Sequence, residues 1–160
     1  MNHSIVRPMR YADVRSVCDM VADLARDHGD VAAISHTDMM RLCFGKGHAL
    51  EVFVAQDGAT LTGYAAVATH VQLQFGRVWG DLHHLYVKPP ARGAGVGSAL
   101  IKYARDWAID SGCSALVVGT HPENVLAQRF YQTQGFEARQ AAGPRFSMDL
   151  ARDQRLEEAS

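Results

Sequence analysis

The stretch that most limits what this chain can fold into is Leu85-Tyr86-Val87-Lys88-Pro89-Pro90-Ala91-Arg92-Gly93-Ala94-Gly95-Val96-Gly97-Ser98-Ala99-Leu100. A strand-forming run enters a proline- and glycine-rich loop, glycines alternate at 93, 95 and 97, and a helical apolar stripe begins at once. Glycine removes the Cβ atoms that would hold a ligand off the backbone. Free amides at a helix start, with the positive end of its dipole, make an anion site suited to phosphate or pyrophosphate. No Gly-Lys-Ser/Thr closes the loop, so it is not a P-loop. It also fits the dinucleotide fingerprint poorly, because that motif follows an early strand and is trailed by an acidic residue about 20 positions on. Here the glycines come mid-chain, after four or more strands.

Those strands are legible from pattern. Ile5 and Val6 open a short one, closed by Arg7-Pro8. Over 12–26 the residues Val14, Val17, Cys18, Val21, Leu24 and Ala25 recur at helical spacing, and a second helix is expected over 35–43. Strands follow over 51–56 and 61–73, joined by the turn Asp57-Gly58, and a hairpin at Gly76-Arg77 leads into a strand over 78–87. A helix over 96–109 precedes 115–119, whose nearly all-apolar profile suggests a central strand covered on both faces. A helix over 122–131 follows, and the alternation of Phe146, Met148 and Leu150 predicts a last strand. The order predicts one α/β domain over 1–150, with a mixed, largely antiparallel sheet, helices on both faces and a polar tail over 151–160.

Composition mainly excludes. The 160 residues carry 16 Lys+Arg against 17 Asp+Glu, a net charge of -1 that argues against a polybasic nucleic-acid binder. The first residues lack the apolar core of a secretory signal, and no apolar run approaches the roughly 18 residues of a membrane helix. Cys18, Cys43 and Cys113 are odd in number and widely spaced, as buried free thiols of a reducing compartment would be. A cytoplasmic protein without nucleic-acid or membrane partners is therefore expected. The eight histidines show no metal-ligand spacing, and no metal is expected.

The glycine loop gains meaning from its surroundings. Val87 followed by Arg92-Gly93-Ala94-Gly95-Val96-Gly97 resembles the acetyl-CoA motif of the GNAT superfamily of N-acetyltransferases. Asn124, Ala127, Phe130, Tyr131 and then Gly135-Phe136 resemble that family's second signature, and the element order matches over about 4–150. The resemblance implies acetyl-CoA as acyl donor and a splayed pair of strands that binds it. It implies that Leu85 and Val87 pair with the pantetheine arm through their backbones. The amides of Arg92, Gly93, Ala94, Gly95, Val96, Gly97 and Ser98 would receive the pyrophosphate, and Asn124 would help hold the arm. Homodimers are common in the family, so a homodimer is expected, with Val71, Leu73, Phe75 and the 146–150 strand as candidate partner surface.

Acyl transfer from a thioester to an amine needs a proton removed from the ammonium and one given to the thiolate. On a regular strand Asp81, His83, Leu85 and Val87 share one face, and Leu82, His84 and Tyr86 the other. Histidine titrates near neutral pH, so His83 is a candidate base, with Asp81 orienting it or binding a cation. By resemblance, His83 falls where serotonin N-acetyltransferase has a histidine, and Asp81 where histone-type members carry a catalytic glutamate. Tyr131 matches the tyrosine that protonates the thiolate, and a phenol is protonated at neutral pH.

The spacing looks somewhat like the diamine (spermidine/spermine) N-acetyltransferase branch, through Asp23-Leu24-Ala25, Phe44-Gly45, Gly112-Cys113 and Phe130-Tyr131. That branch, however, has an acidic pair where this chain has His83-His84, which weakens the case for a polycation. A small primary amine is the expected acceptor. A protein or peptide N-acetyltransferase, and an inactive acyl-CoA-binding module, are the alternatives.

Overall fold

The computed structural model describes residues 4–140 and 143–150. The expected tail over 151–160 lies outside the described residues. Five strands form one sheet in the order β1-β2-β3-β4-β5: β1 (Ile5–Pro8), β2 (Glu51–Asp57), β3 (Thr60–Gln72), β4 (Arg77–Val87) and β5 (Leu116–Val118). The first four pair antiparallel in sequence order, and β5 joins β4 in parallel after the α3 crossover. The helices are α1 (Val14–Asp27), α2 (His36–Phe44), α3 (Val96–Asp110) and α4 (Val125–Thr133). No helix among the described residues is long and apolar enough to cross a membrane.

Period-two alternation divides the core between the two faces of the sheet. Val52 and Val54 of β2, with Tyr64, Ala66 and Tyr86, pack under Val14, Val17 and Met20 of α1 and Met39 of α2. Phe53 and Ala55, with Ala65, Val67 and Leu82, pack under Leu100, Ile101 and Ala104 of α3. Both faces are covered, so the middle of β2 is buried along its whole run. Each fully buried large side chain here contributes about 1.5–3 kcal/mol.

Local signals set the helix ends. Ser35 caps α2: its Oγ accepts from the Asp38 amide at 3.0 Å while the Asp38 carboxylate accepts from the Ser35 amide at 3.0 Å. Asn124 caps α4, its Oδ1 accepting from the Ala127 amide at 3.1 Å. Asp13 ties the entry to α1 back to β1 through a two-point ion pair with Arg7, at 2.6 and 3.0 Å, and accepts the Arg10 amide at 2.8 Å.

Three expectations need correction. The 146–150 strand does not form among the described residues; Phe146, Met148 and Leu150 are 93%, 75% and 65% exposed. Alternation makes a strand only where a neighbouring edge supplies its hydrogen bonds, and none is supplied here. For the same reason β5 is an edge strand rather than a central one, and its residues are half-buried. The third correction concerns β4. The β3–β4 register shifts between Ala66 and Val67, which face His84 and Leu82, leaving His83 as the extra residue of a bulge. The bulge resets the parity assumed for a regular strand. Leu82, Leu85 and Val87 all belong to the α3 face, whereas His84 and Tyr86 lie on the α1/α2 face.

Candidate active site

The site is built around the end of β4. Parallel pairing with β5 covers only Gly80↔Leu116, Asp81↔Val117 and Leu82↔Val118. Beyond that point β4 continues to Val87 with no strand on its β5 side. The Lys88 amide donates toward β3, to Thr62 O at 2.8 Å, so the Val87 carbonyl, one residue earlier, faces the gap. Leu85, two residues earlier, faces the same way. The splayed pair of strands is thus present, with the Leu85 backbone and the Val87 amide open toward the gap, while the Val87 carbonyl is taken by Arg92 Nε.

The chain then enters the glycine loop and α3. Gly93 and Gly95 have φ of 79° and 83°, the left-handed region that admits glycine without strain. Gly97 serves differently: a Cβ there would lie 3.1 Å from Phe130 Cζ, so its absence lets α4 approach the start of α3. The amides of Gly93, Ala94, Gly95, Val96, Gly97 and Ser98 have no acceptor among the described residues, and the first amide bonded back into the turn is Ala99, to Gly95 O at 3.0 Å. Six unpaired donors at a helix start form an anion cradle. Arg92 does not point into it. Its Nε donates to Val87 O at 2.8 Å, its guanidinium lies over the Tyr86 ring at 5.7 Å, and it reaches Asp27 of α1 at 3.4 Å. Arg92 therefore anchors the loop to β4 and α1, and its amide is spent on Pro89 O at 3.2 Å.

The bulge brings polar groups together on the α1/α2 face. The His83 and His84 rings stack with centroids 4.6 Å apart and planes 8° apart, so these residues do not diverge to opposite faces as a regular strand would require. His83 is exposed. His84 is half-buried, and its Nδ1 shares a 3.0 Å hydrogen bond with the hydroxyl of Tyr64, which is 1% exposed. Burial first, then the charges of His83 and His28, push the His84 pKa down to about 4, and burial pushes the Tyr64 phenol well up. Asp81 lies on the same face, 3.8 Å from His70, whose ring stacks on Trp79.

Tyr131 lies on the other side. It packs with Phe130 and Phe136 in the α3-face core, and burial raises its phenol pKa, so it holds its proton at neutral pH. It lines a cavity of about 780 Å³ with Val117 and Val118 of β5. His83 and Asp81 thus lie on the α1/α2 face of β4, whereas Tyr131 lies on the α3 side, in the cavity it lines with Val117 and Val118. Asn124, exposed at the start of α4, uses its Oδ1 for the cap, leaving its amide nitrogen as the available donor.

Two participants escaped sequence reasoning. His84, which a regular strand sets on the face away from His83, lines a smaller cavity of about 240 Å³ with residues of α1 and the 28–34 segment. Gly63 carried a signal, an isolated glycine inside a strand pattern. A Cβ there would meet Tyr86 O at 2.6 Å, so Gly63 lets β3 close on the end of β4 that holds Val87.

An amide cradle for an anion, an open strand edge behind it and polar groups around the gap define a site for an extended anionic ligand and a second reactant. The chain belongs to the acetyltransferase (GNAT) family, whose profile matches residues 18–136. It is 27% identical over 129 residues to IAA acetyltransferase of Azospirillum brasilense, covering 81% of this chain and 82% of that protein. It is 28% identical over 142 residues to thialysine N-epsilon-acetyltransferase of Sus scrofa, covering 82% of each. The solved structure of aminoglycoside N-acetyltransferase AAC(6')-Iy with CoA superposes with a TM-score of 0.77 at 22% identity, over 92% of this chain and 96% of that one. That likeness speaks for the fold.

Proposed function

We propose that this chain moves the acetyl group of acetyl-CoA to the primary amine of a small molecule by direct attack. The observation that carries the reading is the row of unpaired amides from Gly93 to Ser98 beside the open backbone edge at Leu85 and the Val87 amide. The cradle suits a pyrophosphate, the strand edge suits the amides of a pantetheine arm, and Gly93 and Gly95 leave open space where side chains would crowd the ligand. Acetyl-CoA supplies an activated acyl group held by a thioester.

The remaining chemistry belongs to protein side chains. An ammonium must lose a proton before its nitrogen can attack, and His83 and Asp81 stand on the face from which an acceptor reaches the gap. A C–N bond then forms, the C–S bond breaks, and the second amine proton leaves through the same polar groups or solvent. Tyr131, protonated at neutral pH, gives a proton to the departing thiolate from the opposite face and regains one from solvent. Homodimeric assembly in the cytoplasm belongs to the same reading; Val71, Leu73 and Phe75, 67%, 85% and 62% exposed near the tip of the β3–β4 hairpin, support it.

The test is kcat/KM against pH for H83A, D81N and Y131F, with acetyl-CoA affinity measured alongside. Y131F is expected to lower kcat about 10²-fold with affinity intact, and loss of the working base to flatten the acidic limb of the profile. Unchanged rates and profiles in all three would sink these roles. Binding of acetyl-CoA without turnover on amines or peptides would favour a binding module.

A further inference from the structure

Tyr64 and His84 form a hydrogen-bonded pair at the edge of the core that takes no part in the transfer chemistry above. Tyr64 is fixed at the centre of β3: it is 1% exposed, lies opposite Val54 and Tyr86, and its ring meets those of His84 and Tyr86 at 6.1 and 6.2 Å. Its hydroxyl has no partner but His84 Nδ1 among the described residues, and a buried O–H needs an acceptor. Burial holds the phenol protonated, so Tyr64 donates and Nδ1 accepts. A neutral ring that accepts at Nδ1 carries its proton at Nε2, so this bond fixes the tautomer of His84 as well as its plane. His83 is the contrast. It is exposed, and among the described residues neither of its ring nitrogens has a hydrogen-bond partner. What orients its ring is the stack on His84, with centroids 4.6 Å apart and planes 8° apart.

We infer that Tyr64 and His84 are positioning residues for His83: the core sets Tyr64, Tyr64 sets the His84 ring, and the stack passes that orientation to the side chain that takes the acceptor's proton. This inference rests on the acetyl-transfer reading, with His83 as its base. The bulge makes the series of contacts possible. On a regular strand the two rings would point to opposite faces, whereas the extra residue at 83 lets an exposed ring lie flat against a half-buried one. An exposed imidazole without such support samples several rotamers, and a base works only while its free nitrogen faces the proton. Charge fits the same arrangement. The titratable groups around His84 are Asp81, His83 and Tyr86 on its own strand, Tyr64 on β3, and His28 and Asp30, which line the small cavity with it. Burial leads in pushing its pKa down to about 4, so His84 is uncharged at neutral pH. An uncharged ring lets His83 accept a proton 4.6 Å away, where a second imidazolium would repel it. The hydrogen bond acts in the same direction, because a proton added at Nδ1 would leave the Tyr64 hydroxyl without its acceptor.

The experiment measures CoA thiol released from acetyl-CoA with 2-phenylethylamine, spermidine and kanamycin as acceptors. It compares the native chain with H83A, H84A, H84F and Y64F, and with H84A and Y64F each combined with H83A. Y64F and H84A are each expected to lower kcat about tenfold, part of the roughly hundredfold or more that a placed base supplies, with KM for the amine and acetyl-CoA affinity unchanged. H84F, which returns a flat ring to the stack, is expected to recover about threefold of the H84A loss. In the H83A background neither substitution should lower kcat further, because a residue that acts through His83 then has nothing to position. Unaltered kcat in Y64F and H84A, a loss carried by KM, or losses that multiply with that of H83A would overturn the inference and leave the transfer reading standing. An H83A enzyme at the native rate would overturn it by removing His83 from the chemistry. If no amine is turned over, the transfer reading falls, and nitrogen NMR spectra of the imidazoles decide the pair separately. A single Nε2–H tautomer of His84 that becomes mixed in Y64F would retain the pair, and a mixed tautomer in the native chain would reject it.

Discussion

His84 makes stability depend on pH in a way that can be read without any substrate. In the unfolded chain its imidazole titrates at the ordinary 6.5, whereas in the fold its pKa is pushed down to about 4, chiefly by burial. The unfolded state therefore binds more protons between those values, and stability present above pH 6.5 is lost as pH falls through 4. At about 1.4 kcal/mol per pKa unit the full displacement is roughly 3 kcal/mol, and solvent access to the ring edge lowers this to about 2 kcal/mol. Replacing His84 with Phe keeps a ring against Tyr64 and removes the titration. Its offset at pH 7 includes the cost of leaving the Tyr64 hydroxyl without a partner, about 1–3 kcal/mol, so the informative quantity is the slope. Urea melts of both proteins at pH 7 and 4.5 are expected to show the native chain losing about 2 kcal/mol more than H84F across that interval. Equal losses, or an imidazole resonance of His84 that titrates near 6.5, would refute the argument that burial keeps this ring neutral.

Other residues give sharper structural tests. Asp13→Ala leaves the Arg7 guanidinium, 16% exposed, without its two-point partner, and is expected to cost about 3 kcal/mol, or about 9 °C in Tm. Arg7 holds the Asp13 carboxyl below its ordinary pKa, so this stabilisation is complete above about pH 4 and fades as pH falls further; D13N should lack that fade in acid melts. Gly63→Ala drives a methyl to 2.6 Å from the Tyr86 carbonyl, whereas Gly97→Ala meets only the end of the Phe130 ring at 3.1 Å. G63A should therefore cost about 2–3 kcal/mol and G97A about 1 kcal/mol in urea melts, and the reverse order would contradict the packing described. Moving the end of β4 should also make G63A weaken acetyl-CoA binding, which calorimetry would detect.

Much of this protein was legible in the chain itself because the signals are local. Helical spacing in α1 and α3, the Asp57-Gly58 turn and Ser35 before α2 act over a few residues, and the described elements follow them closely. The glycine loop is local too: φ at Gly93 and Gly95 and the start of α3 depend on that segment alone, so the anion cradle could be placed from sequence. What depended on pairing between distant segments could not. One extra residue opposite Ala66 and Val67 moved His83 out of the parity series and stacked it on His84, because register belongs to two strands and neither carries it alone. Alternation at Phe146, Met148 and Leu150 promised a strand that needs an edge, and among the described residues that edge is not used. The small cavity beside His84 is assembled from α1, the 28–34 segment and β4, and only their packing decided its size and lining.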